Sequence, residues 1–129
     1  MSARISGQVT FLYYDDLAAP RKFYGRTLGL VSYMENDWVT LLHTASGATI
    51  GLVKAPNSGT SAATKRSVVM VSLVTDDVAA WYQKLTRAAS VRIVKPLYDH
   101  PCVPIRAFEL EDPAGYPVEF FQWLDPPRT

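Results

Sequence analysis

Two copies of one pattern constrain this chain more than any other feature of its sequence. Tyr14-Asp15-Asp16-Leu17-Ala18-Ala19 recurs as Thr75-Asp76-Asp77-Val78-Ala79-Ala80, sixty-one positions on. Each copy follows an apolar, strand-like run, Val9 to Tyr14 and Val68 to Val74, and each precedes a helical pattern. In the first helix Leu17, Pro20, Tyr24 and Leu28 share a face; in the second Val78, Trp81 or Tyr82, Leu85 and Ala89 do so. The aspartates stand where an N-cap and a first-turn negative charge are favoured. Pro20 is tolerable in a first turn, and Gly29 suits a helix C-terminus.

The later part of each copy matches too. Ser46-Gly47 before Ala48 to Val53 aligns with Ala114-Gly115 before Tyr116 to Phe121, a turn glycine followed by a strand. That offset is sixty-eight, so the second copy has gained seven residues, placed by the reading in the proline-containing stretch Val91 to Val103. Leu30 to Met34 and Trp38 to Thr44 form a hairpin pattern, with Val91 to Lys95 and Ile105 to Glu111 as counterparts. Each copy therefore reads β-α-β-β-β: unit one over 6–56, a polar linker over 57–65, and unit two over 66–125. A unit of ~60 residues buries little core alone, so the pair is expected to act as one domain.

Composition narrows the function classes. Thirteen basic against twelve acidic residues leave a formal charge of +1, which gives no electrostatic footprint for nucleic acid or an anionic membrane. No apolar run approaches the ~20 residues of a membrane helix, and the first residues lack the apolar core of a signal peptide. The single cysteine, Cys102, has no intramolecular disulfide partner. A cytoplasmic protein with no nucleic-acid or membrane partner is expected.

The residues Asp16-Leu17, Phe23-Tyr24 and Leu28-Gly29, with Asp112-Pro113-Ala114-Gly115-Tyr116-Pro117-Val118-Glu119, give the repeat a family likeness. It resembles the vicinal oxygen chelate superfamily of glyoxalase, bleomycin resistance proteins and extradiol dioxygenases, whose signature Asp-Pro-Asp-Gly-x-x-Ile-Glu the second segment approaches. The resemblance implies an α+β fold in which two tandem β-α-β-β-β units form a U-shaped, eight-stranded mixed sheet around a ligand cavity. It also implies four positions for ligands to a divalent metal, which fall here on Val9, Gly51, Met70 and Glu119. Valine and glycine carry no donor and a thioether suits hard cations poorly, so no metal and no cofactor are expected. A one-residue slip would bring in Gln8 and still leave two donors of four.

Alternation along the last strand places Glu119, Phe121 and Trp123 on one face. Val9, Phe11 and Tyr13 share a face of the first strand, and Met70, Ser72 and Val74 share the equivalent face of the second unit. With Trp38 from the hairpin, the expected ligand-binding set is Phe11, Tyr13, Trp38, Met70, Arg106, Glu119, Phe121 and Trp123, an apolar and aromatic lining suited to flat molecules. Arg106, inside an apolar strand, would clamp a carboxylate or pair with Glu119. His100 and Cys102 stand close enough in sequence to invite comparison with a Cys-His nucleophile pair, though no third group orients them. His43 reads as a surface histidine at a strand end. No glycine-rich phosphate loop or nucleophile elbow is present.

The reading favours metal-independent binding of a small, largely apolar or aromatic molecule. The alternative is a lyase, isomerase or dioxygenase of the same superfamily, with degenerate metal ligands or with Glu119 as base assisted by Tyr13, Arg106 or His100. A homodimer is expected, because Val68 to Val74 and Phe120 to Leu124 are too apolar for a small monomer to cover.

Overall fold

A computed structural model of the chain describes residues 5–55 and 69–125. In chain order the elements are β1 (Gln8–Tyr14), α1 (Ala18–Arg21), which continues as a π-helical segment (Lys22–Thr27), β2 (Val31–Glu35), β3 (Val39–Ala45) and β4 (Ala48–Lys54). Then follow β5 (Val71–Val74), α2 (Val78–Thr86), β6 (Arg92–Asp99), β7 (Ile105–Glu111) and β8 (Pro117–Trp123). The β-α-β-β-β order is present twice, and the class is α+β. The chain divides into two compact units at Thr64 and Lys65, and each is described here by itself. The expected linker, 57–65, and Val68 lie outside the described residues.

Unit one is a four-stranded sheet in the order β1-β4-β3-β2, and unit two repeats it as β5-β8-β7-β6. In each, the first and last strands pair in parallel and the other neighbours are antiparallel. A parallel pair needs a crossover, and each unit's helix and hairpin supply it.

The sequence pattern fixes which face is covered. In β1, Leu12 and Tyr14 are 0% and 2% exposed, whereas Phe11 and Tyr13 are 46% and 45% exposed. Leu17, Pro20, Tyr24 and Leu28 are all buried, as one helical face requires. The helix is α-helical for only one turn before it widens. Leu28 then donates to the Phe23 carbonyl at 2.9 Å, the five-residue step of a π-turn, and Phe23 and Tyr24 both turn inward with rings edge-on at 4.9 Å. Gly29, at φ 75°, ends the segment in the left-handed conformation that glycine adopts without strain.

In unit two Asp77 is the N-cap and accepts from the Ala80 amide at 3.1 Å. In unit one the matching Asp16 accepts from the Ala18 amide at 2.9 Å, one step outside the cap position that Leu17 occupies. Trp81 stacks on Phe120 at 4.7 Å and Tyr82 meets Phe108 edge-on at 5.1 Å, so α2 covers one face of its sheet. Ala89 was expected on that helical face, but α2 ends at Thr86 and Ala89 is exposed. The seven-residue gain lengthens β6 to Asp99 and adds the turn before Ile105. Pro96 is accommodated because β6 is an edge strand whose register shifts between Lys95 and Tyr98.

Candidate functional site

The faces without a helix carry most of the expected site. In unit one Phe11 pairs with Gly51, and Gly51 with Leu41, in one row across β1, β4 and β3. A Cβ on Gly51 would stand 2.5 Å from Phe11 Cδ1, so the glycine leaves room for the phenyl ring to lie against the strand. Tyr13 follows Phe11 on the same open face.

In unit two the corresponding row is polar. Glu119 on β8 pairs with Ser72 on β5 and with Glu109 on β7, so all three share a face. The Ser72 hydroxyl donates to Glu119 Oε1 at 2.5 Å, and Glu119 is half-buried. Phe121 and Trp123 continue that face as an edge-to-face pair with centroids 5.1 Å apart. Trp123 also lines an apolar cleft of about 310 Å³ with Val74, Thr75, Asp76 and Gln122. Met70, which is 46% exposed, lies just before β5.

Two expected residues are placed elsewhere. Trp38 belongs to the helix side, where its carbonyl accepts from the Lys54 amide at 2.8 Å next to buried Tyr14. It lines a separate cleft of about 410 Å³ with Asp16, Leu17, Ala18, Arg21, Asp37 and Lys54. Lys54 Nζ stands 5.8 Å from the centre of its indole. Arg106 pairs in register with Gln122, whose side chain accepts from the Val78 amide of α2, so it is on the opposite face from Glu119. Its guanidinium makes a forked pair with Asp99, at 2.7 and 3.2 Å. That hydrogen bond holds the Asp99 carboxyl below its ordinary range and raises the guanidinium. The expected Arg106–Glu119 pair is replaced by this exposed one, because register and not proximity in sequence decides the partner.

The Cys-His comparison does not lead to a nucleophile pair. His100 Nδ1 accepts from the backbone amides of Cys102 and Val103, at 3.0 and 3.1 Å, and so organises the turn before β7. Sequence reasoning passed over Tyr33, Thr49 and Glu109. Tyr33 stacks on His43 with centroids 3.9 Å apart and planes 14° from parallel, and its hydroxyl meets Thr49 Oγ1 at 3.1 Å. Strict alternation from Val31 puts Tyr33 on this face, and that was the available signal. Glu109 could have been found from Ile105 by the same rule.

The donor set at the four family metal positions does not fit a divalent ion. Val9 and Gly51 offer no side-chain donor, the Gly51 position is filled by the Phe11 ring, and Glu119 already accepts from Ser72. The described residues contain no group of three or more histidine, cysteine, aspartate or glutamate side chains able to hold a metal.

A family model for the glyoxalase/bleomycin resistance protein/dioxygenase superfamily matches residues 6–120. The chain belongs to this superfamily. Its fold is similar to that of a superfamily protein from Alicyclobacillus acidocaldarius, at 16% identity and a TM-score of 0.71, with 92% of each chain covered. It is also similar to lactoylglutathione lyase from Agrobacterium tumefaciens, at 19% identity and TM-score 0.67, covering 88% of this chain and 90% of that one. A third similar structure is TnmS3, an antibiotic binding protein from Streptomyces sp. CB03234, at 19% identity and TM-score 0.69, covering 90% and 93%. No curated protein matches the chain. A lyase and a binding protein thus share the superfamily fold, and the chemistry must be argued from side chains. Among the described residues no helix is long and apolar enough to cross a membrane.

Proposed function

We propose that this superfamily member binds a small, largely apolar or aromatic molecule without a metal. One observation carries the reading: the sheet faces without a helix hold Phe11, Tyr13, Phe121 and Trp123 at least partly accessible, instead of spending them on the core. Large aromatic side chains left open together mark a binding surface, and they offer area at low entropic cost. The antibiotic binding by TnmS3 supports the same use of this fold. In unit two Met70 and Glu119 complete the proposed set, with Glu119 anchoring a polar substituent of a molecule bound on that unit's face. Trp38 lines its own cleft, and Arg106 ties β7 to the edge strand β6 through Asp99.

A second reading has one observation in its favour. A carboxylate held by a serine hydroxyl at 2.5 Å, on the strand face that also carries Phe121 and Trp123, is a positioned base, which would make the protein an enzyme acting on the same class of molecule. Turnover of a bound aromatic substrate that Glu119→Gln abolishes would select it.

Tryptophan fluorescence tests the binding reading. Titration with a panel of flat aromatic compounds should give saturable quenching, and Trp123→Phe should remove most of it. Trp81 is already stacked on Phe120 and should be insensitive. Saturable binding of small polar thiols alone would favour the glyoxalase-type alternative.

The same face supports assembly. Val74 is 61% exposed beside Trp123, and a twofold homodimer would cover this strip. Trp123→Arg is expected to weaken dimer and ligand binding together, and light scattering is the measurement. A wild-type particle of one chain at micromolar concentration, with binding intact, would contradict it.

A further inference from the structure

Besides the Tyr13 phenol, the open face of unit one carries a compact polar cluster. Tyr33, His43 and Thr49 lie side by side on β2, β3 and β4, and Val9 pairs with Thr49 on β1. A register shift between Ser32 and Met34 makes Tyr33 the extra residue of a bulge, a device that re-aims a side chain without breaking the sheet. Its ring is then fixed twice. The imidazole of His43 supports one side at 3.9 Å, and the phenol meets the Thr49 hydroxyl at 3.1 Å. Thr49 is 9% exposed while Tyr33 remains 48% exposed. A tyrosine held this firmly yet this open has already lost the freedom that binding would otherwise remove.

The next row along the strands holds the second fixed ring. Phe11 lies against Gly51, two residues from Thr49 on the same strand and so about 7 Å further along it. Rows at this spacing let one planar molecule of fused rings meet both. The two rows differ in chemistry: Phe11 offers only a hydrocarbon surface, and Tyr33 offers a ring and a hydroxyl. Of the two hydroxyls, whichever accepts from the other keeps its own proton, and the more open phenol oxygen retains a lone pair for a ligand.

We infer that Tyr33 is the specificity-determining residue of this face, and that it selects planar aromatic molecules bearing a hydroxyl or carbonyl at the end remote from Phe11. Its phenol makes the hydrogen bond to that substituent, Thr49 orients the phenol, and His43 is a positioning residue that keeps the ring flat. The inference rests on the aromatic-binding reading above and adds the polar end of the ligand to it. It assigns the recognition of one polar substituent to unit one, in addition to the role proposed for Glu119.

A matched pair of probes tests it: 2-naphthol and naphthalene, titrated against the full-length protein and followed through probe fluorescence. One neutral hydrogen bond corresponds to about a fivefold preference, so the wild type should favour 2-naphthol by that factor. Tyr33→Phe keeps the ring and should bring the preference close to one while naphthalene affinity holds. Tyr33→Ala removes the stack and should weaken both probes by about tenfold or more. Thr49→Val should reduce the preference, His43→Phe should restore what His43→Ala loses, and circular dichroism should show every variant folded. If the wild type binds both probes equally, or if Tyr33→Phe keeps the preference, the inference is overturned and the aromatic-binding reading stands. Failure of both probes to bind the wild type overturns the inference and the aromatic-binding reading together.

Discussion

Phe108→Ala is expected to lower the unfolding free energy by about 3–5 kcal/mol, the largest effect of any single substitution considered. Phe108 is fully buried and lies parallel to Phe120, with centroids 5.3 Å apart and planes 5° from parallel. Tyr82 closes on its ring from α2. It therefore joins β7, β8 and the helix in one packed layer, next to the cross-strand pair Leu110–Val118, which is itself fully buried. Truncation removes the transfer free energy of the ring and leaves a cavity in a layer with little freedom to collapse. The loss is a large part of the ~5–15 kcal/mol that holds a domain of this kind together, so Phe108→Leu provides a milder companion. Urea denaturation should place the leucine variant between wild type and alanine. A loss below about 1 kcal/mol for the alanine variant would contradict this packing.

Asp112→Ala should cost about 2–3 kcal/mol, more than its single side chain suggests. Asp112 is 4% exposed, and its carboxylate accepts from the amides of Ala114 and Tyr116 at 2.9 Å each. Its own amide donates to the Tyr116 carbonyl at 2.9 Å, and its carbonyl accepts from Gly115 at 3.0 Å. The motif Asp-Pro-Ala-Gly is thus a self-bonded turn, with Gly115 at φ 94° where a side chain would strain the backbone. Alanine leaves two amides without this acceptor at the entry to β8, the strand that carries Glu119, Phe121 and Trp123. Asparagine keeps an acceptor oxygen and should recover part of the loss. Urea denaturation of the three proteins checks the order, wild type above asparagine above alanine.

Much of this architecture was legible because local signals and long-range pattern agreed. The repeated aspartates and the Gly47/Gly115 pair mark the same joints in both units, Gly29 marks the end of the first helical segment, and the three glycines take positive φ. Alternation separated the buried Leu12 and Tyr14 from the open Phe11 and Tyr13. It also grouped Glu119 with Phe121 and Trp123. Cross-strand partners were not legible, since they depend on register. Arg106 shows this: its own strand reveals that it shares a face with Phe108, but only the β7–β8 register sets it opposite Gln122. Trp38 sits in the turn between two strands, where alternation assigns no face. The face of Tyr33 follows from alternation, but its stacking on His43 depends on register, and Gly51 needed knowledge of the ring that lies against it.

The central claim, metal-free binding at the aromatic faces, is tested most directly by the tryptophan titration run before and after exhaustive chelation. Elemental analysis of the same samples fixes their metal content. The account predicts saturable quenching by flat aromatic compounds with an unchanged midpoint after chelation, in protein holding far less than one metal per chain. Quenching that disappears on chelation and returns with zinc, iron, nickel or manganese at one ion per chain would contradict it.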